Sequence, residues 1–322
     1  MNATTSVRAS AAGLGAQQGF DPARAEQGGA ATTWRAFATA ARLGWQMEAN
    51  WTDPLLFFIY SVAKPIASAL ILVVMVQIIS GGGPGAAQGR AFVVIGSALW
   101  AFVISGVQGV AWSVLDDRER YRMLKYLYVS PSDFLVVLVG RGVARVAVGG
   151  MGAAITLAAG VLFLGVPFDP AQADWPLFIV VMVGGLVAIV ALGVLMAAIC
   201  LQTRQESWSY PEAVAGALFL VVGAIFPLAV LPPAIQGLGL LLPLTWWIAG
   251  VREALFPATI SSVGGTGSLY TGLTGQAAPG APEIVLALLA TTVLVTLSAA
   301  VIFRASEARA KDRGLIDRTT GS

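Results

Sequence analysis

The sequence predicts an all-α integral membrane protein. It should have six transmembrane helices, an N-terminal interfacial helix, a short charged cytoplasmic helix between the second and third spans, and re-entrant outer helices after the fifth span. Three observations carry that expectation. Hydrophobic residues fill 57% of the 322 positions and the mean hydropathy is +0.79, well beyond a soluble domain. Apolar windows of about 20 residues recur with almost no charge, the length a helix needs to cross roughly 30 Å of hydrocarbon. The charged residues, only 11% of the chain, are gathered into the breaks between those windows. The lone Cys200 excludes an intramolecular disulfide, and the absence of histidine removes histidine metal sites and histidine acid–base chemistry.

Residues 1–32 are rich in Ala, Gly, Gln and Thr and predict a disordered tail; they contain no apolar core of the signal-peptide kind. Over 33–52, Trp34, Phe37, Ala38, Ala41 and Trp45 recur at helical steps opposite Arg35, Thr39, Arg42 and Gln46. That pattern predicts an amphipathic helix lying on a membrane surface. The transmembrane region then covers 53–305. Asp53-Pro54 reads as a helix start, and the first span runs over 54–79 until SGGGPGAAQGR closes it as a loop. Spans two to six follow at about 91–115, 134–166, 177–201, 213–230 and 284–303, with a basic tail over 306–322.

Lys and Arg placement orients the chain, because basic loops stay cytoplasmic. Arg35 and Arg42 precede the first span; Arg118, Arg120, Arg122 and Lys125 follow the second; Arg204 follows the fourth; Arg304, Arg309, Lys311, Arg313 and Arg318 follow the sixth. The opposite side has only Arg90 and Arg252. Both termini are therefore expected in the cytoplasm.

The densest break is DDRERYRMLKYLYVSP, from Asp116 to Pro131, with seven charged residues in its first ten positions. As a helix it brings Asp116 near Arg120, Asp117 near Arg120 and Tyr121, and Glu119 near Arg122. Leu124, Leu127 and Tyr128 form an apolar ridge, and Ser130-Pro131-Ser132-Asp133 breaks the helix and starts another. A charged half joined to an apolar half suits a lever gripped by a soluble domain. In Phe226 to Leu255, Pro227, Pro232, Pro233 and Pro243 leave apolar pieces too short to cross. Irregular backbone at membrane depth is tolerated only against protein or a wet cavity, so this stretch predicts re-entrant helices over 231–256. Lys64 sits inside the first span beside Pro65, where a charge is costly. It either lines a substrate cavity or subunit contact, or snorkels to the interface. Arg141 and Arg145, four apart on one helix face, point to anionic lipid or a partner. The glycines at 149, 150, 152, 184 and 185 point to close helix packing.

Asp117-Arg118-Glu119-Arg120, followed by Tyr121, Leu124, Leu127, Ser130 and Pro131, resembles the cytoplasmic loop of ABC-2-type transporter permeases, the membrane subunits of drug, lipid and polysaccharide exporters. Many members carry Gly-Thr where this chain has Arg122-Met123. The second stretch is similar to the segment after the fifth span in that family: Phe226-Pro227, Leu231-Pro232, a short apolar helix, Pro243-Leu244-Thr245, then Arg252. The resemblance implies a coupling helix over 116–131 that docks an ATPase, and a gate of re-entrant helices. It also implies two permease copies, a homodimer or a related heterodimer, above two nucleotide-binding ATPase subunits. ATP and Mg would sit on that partner, with no cofactor, metal or catalytic residue in this chain. The partners implied are that ATPase, the second permease and membrane lipid, not nucleic acid, in a bacterial or archaeal plasma (inner) membrane. No GxxxxGK[S/T] phosphate loop occurs in the sequence, so the energy has to come from another polypeptide. The sparse charge within the spans fits a hydrophobic or amphipathic cargo such as a drug, lipid or lipid-linked glycan. A stand-alone secondary transporter or channel is the alternative, but it usually shows acidic relays in spans or inverted repeats, and neither is present. A membrane enzyme lacks paired acids or a His/Cys cluster.

Overall fold

The computed structural model describes residues 29–49, 54–80, 85–129, 132–203, 209–257 and 259–314; within the helices, the side chains of Lys64, Lys125, Tyr128 and several others lie outside the described set. Among these residues every regular element is helical. The order is α1 (Gly29–Ala49), α2 (Pro54–Ser80), α3 (Gly85–Leu115) continued by a π-helical turn (Asp116–Arg120), α4 (Leu124–Val129) and α5 (Phe134–Leu164). Then come α6 (Trp175–Gln202), α7 (Ser209–Val221), a 3-10 turn (Leu228–Val230), α8 (Pro233–Leu241), α9 (Pro243–Leu255), α10 (Leu269–Thr274) and α11 (Ala281–Asp312).

Among the described residues four helices are long and apolar enough to cross a membrane: α3 with its π turn, α5, α6 and α11. The pair α8–α9, bent by 82°, makes a fifth if taken as one broken span. The 27-residue α2 occupies the place of the first expected span. The fifth expected span departs most from expectation. Its helix, α7, ends at Val221 after 13 residues, about 20 Å of rise. Gly223 takes φ +73°, a left-handed turn, and Pro227 brings no N–H to continue the ladder. Elsewhere boundaries move by a turn or two: α3 begins at Gly85 inside the expected loop, and α1 begins at Gly29 inside the expected tail. Residues 1–28 of that tail, and 315–322 at the other end, lie outside the described residues.

α3 is the most enclosed of the long helices and packs against α2, α5, α6 and α7; α11 lies at the edge, on α6 and α9. α1 lies along α5, and its buried stripe is not the aromatic one. Ala40 and Gly44 face α5, while Trp34 and Trp45 are 67% and 43% exposed. A Cβ on Gly44 would stand 2.7 Å from the Arg141 carbonyl oxygen, so the absence of a side chain there sets the distance between the two helices. The expected single apolar face is therefore two: a small-residue seam against the bundle and an aromatic face turned outward. Two of the expected packing glycines serve likewise. Gly149 lies against Ser105, and a Cβ on Gly185 would overlap the indole of Trp247.

Candidate functional site

The charged stretch folds as the end of α3, not as a separate helix. Asp116–Arg120 wind into a π turn, and Tyr121 N–H donates to Asp116 O at 2.8 Å. Arg122 then reverses the chain at φ +51°, the only positive φ outside glycine among the described residues. Met123 N–H donates to Asp117 O at 2.9 Å and closes the turn before α4 starts at Leu124. An L-residue is costly in this conformation, whereas glycine adopts it freely. The position where many permeases of the resembled family carry glycine is thus one that needs a left-handed residue.

Asp117 and Arg118, expected on a docking surface, are 1% and 4% exposed. Asp117 is ion-paired with Arg141 of α5, itself 4% exposed. Arg118 Nη1 donates to Cys200 O at 3.0 Å and Thr203 O at 3.3 Å, capping the C-terminal carbonyls of α6; its Nε donates to Glu119 at 2.8 Å. A cation is well placed there, where the helix dipole ends negative. Asp116 accepts from Arg145 of α5 at 2.9 Å, and Arg145 also reaches Glu48 of α1 at 3.1 Å. One turn therefore ties together α1, α3, α5 and α6. The apolar ridge closes the same junction: Leu124 is buried, and Leu127 packs against the cluster formed by Val114, Phe134, Leu138 and Phe303. Arg120, Tyr121, Arg122 and Tyr126 remain exposed on its outer side. Ser130 and Pro131 lie outside the described residues, as does the side chain of Lys64 in α2.

At the other end of α3, the proline-punctuated stretch folds as two helices meeting at a sharp bend, as the prolines require. Phe226 and Pro227 are half-buried and lead into the 3-10 turn that Leu231 ends; exposed Pro232 precedes α8, and buried Pro243 opens α9. Thr245 is fully buried on the first turn of α9. Arg252, on the last turn, is 2% exposed with no carboxylate partner among the described residues. Its guanidinium donates to Gly223 O (2.9 Å), Ala224 O (2.7 Å) and Phe92 O (3.0 Å), and stacks 3.6 Å over the Phe92 ring. A Cβ on Gly96 would overlap the Ala224 carbonyl, so the bare α3 backbone admits the turn after α7. Arg252 thus clasps α3, the break after α7, and α9. Gln236 of α8 extends the clasp, donating to Leu231 O at 2.7 Å and accepting from Leu269 N–H at 2.5 Å.

Among the described residues no group of three or more His, Cys, Asp or Glu side chains is arranged to hold a metal ion. Glu48, Phe92 and Gly96 carry no motif and were not anticipated. The surplus of arginines on α5 beside the acids of the turn was the one available signal for the junction.

No protein with a curated description matches the chain. Residues 40–256, about two thirds of the chain, match the family model described as ABC-2 type transporter. That match takes in α3, the charged junction and the bent pair α8–α9 through Arg252, and the chain belongs to the ABC-2 type transporter family.

Proposed function

We propose that this chain is the permease subunit of an ATP-driven exporter, moving a hydrophobic or amphipathic substrate outward with ATP hydrolysed by a separate subunit. One observation carries the coupling half of this reading: the π turn is fastened by charged side chains to α5 and α6, and through Arg145 of α5 to α1. A force applied to its exposed side would reach several helices together, because packed and ion-paired elements shift as units. Asp117 and Arg118 then transmit, and Arg120, Tyr121, Arg122 and Tyr126 are the side chains offered to the ATPase. The reading takes α2 and α7 as the first and fifth of six spans, with the junction and both termini cytoplasmic. The re-entrant pair closes the outer end. Two copies would form the pathway above two ATPase subunits that hold ATP and Mg, in a bacterial or archaeal plasma membrane. The family and the apolar character of the long helices support this; the basic residues flanking the spans support the orientation.

The test is reconstitution. Extracted from its native membrane, the tagged chain should bring down an ATPase bearing a phosphate loop, and the pair in vesicles should move an amphipathic dye only with ATP. Arg122→Glu combined with Tyr126→Asp should abolish ATPase capture and transport while leaving the melting temperature of the chain unchanged. Dye movement by the chain alone under an ion gradient would defeat the proposal.

A further inference from the structure

A cavity of about 240 Å³ opens beside the junction, between α1, the end of α3 and α5. Guanidinium groups of Arg120, Arg141 and Arg145 and the carboxylates of Asp116 and Glu48 line its wall, with Asp117 paired to Arg141 behind it. The Asp116 and Glu48 carboxylates are already engaged by Arg145, at 2.9 and 3.1 Å. Arg141 is the under-served member. It is 4% exposed, with Asp117 at one side of its guanidinium. Its Nη2 donates at 3.3 Å to the Met47 thioether, a weak acceptor, and its Nε has no partner. A guanidinium buried this deeply ordinarily has charged or oxygen acceptors for its donors.

We infer that this cavity binds a phosphate-bearing anion, held by Arg141 and Arg145. Guanidinium forks match phosphate oxygens bidentately, and Arg141 and Arg145 stand four apart on α5 on the wall of this one cavity. The anion is either the headgroup of an anionic phospholipid or free phosphate. The exposed Trp34, Leu43 and Trp45 of α1 favour the lipid, since such side chains settle at headgroup depth and basic pockets between helices there take anionic headgroups. Bound in this place, the anion straps α1 to the π turn and α5, and makes the junction responsive to lipid composition.

The experiment follows the melting temperature of the purified full chain in neutral detergent at constant ionic strength. Dioctanoyl phosphatidylglycerol, dioctanoyl phosphatidylcholine and inorganic phosphate are titrated separately. Phosphatidylglycerol should raise the melting temperature by a few degrees, saturably, and phosphatidylcholine should not. An equal rise with inorganic phosphate supports the anion site and assigns it to the free ion; a rise with the anionic lipid alone assigns it to the headgroup. Met47→Glu, which sets a carboxylate on the Arg141 guanidinium, should abolish the response with helical circular dichroism unchanged, while Met47→Leu should keep it. Absence of any shift, equal shifts with both lipids, or an undiminished shift in Met47→Glu overturns the inference.

Discussion

Arg141 and Arg252 are buried to nearly the same extent, 4% and 2% exposed, and lie towards opposite ends of α3, yet different chemistry holds them. Arg141 faces a carboxylate, Asp117, in a network continued by Asp116, Arg145 and Glu48. Arg252 has only main-chain carbonyls and an aromatic ring. Side-chain ion pairs can be broken and remade with other side chains as helices slide. Carbonyls released by a break in the backbone exist only while that break keeps its shape. The junction can therefore exchange partners if its helices shift, whereas the clasp fixes where the bent pair α8–α9 sits.

The sharpest way to break this comparison is to remove one member of each site. Asp117→Leu strands a buried guanidinium, with an expected loss of about 3–5 kcal/mol in unfolding free energy. Adding Arg141→Met should recover most of it, because replacing both members of a buried pair by apolar side chains is often nearly neutral. Chemical denaturation of the single and double variants in detergent measures both values. If the double variant is no better than the single, the pair is not an exchangeable unit.

Arg252→Met should cost about 2 kcal/mol, roughly 1 kcal/mol for each of the two carbonyls left without a donor, Gly223 O and Ala224 O, since Phe92 O keeps its place in the α3 ladder. Here no second substitution restores the loss, since Phe92, Gly223 and Ala224 contribute backbone and not side chains to the three bonds. Arg252→Lys should recover only part, an ammonium being too compact to span all three. A wild-type denaturation midpoint in Arg252→Met would mean that the break after α7 holds itself.

The same contrast explains what could be seen beforehand. The long helices were legible because uncharged apolar windows of that length have few alternatives, and the bend between α8 and α9 was legible because proline imposes it. Asp117, Arg118 and Arg252 were legible as charge in an apolar chain. Their partners were not. Cys200 O, Thr203 O and Ala224 O are backbone atoms and leave no signature in residue type. The buried face of α1 was misplaced for a related reason. Ala40 and Gly44 read as neutral in hydropathy, and their value lies in how closely they let α5 approach. The end of α7 depends on Gly223 taking φ +73°, which an apolar window cannot reveal.

The smallest expected effect concerns the turn that joins the two halves of the junction. Arg122 sits at φ +51° at the end of the π turn, and Gly165 sits at φ +67° at the end of α5. Both are followed by a residue whose N–H reaches back six positions, Met123 to Asp117 O at 2.9 Å and Val166 to Gly160 O at 3.2 Å. One geometry is thus built once with arginine and once with glycine. Arg122→Gly should stabilise the chain by about 1 kcal/mol through relief of left-handed strain, less some gain in unfolded-state entropy. Gly165→Arg should cost a similar amount, and for conformational reasons alone, because nothing lies within 4 Å of where its Cβ would be. Paired denaturation curves decide the matter. Opposite signs and similar sizes identify backbone strain as the cause. A loss in Arg122→Gly would instead mean that the arginine side chain itself holds the turn, and with it the surface proposed to meet the ATPase.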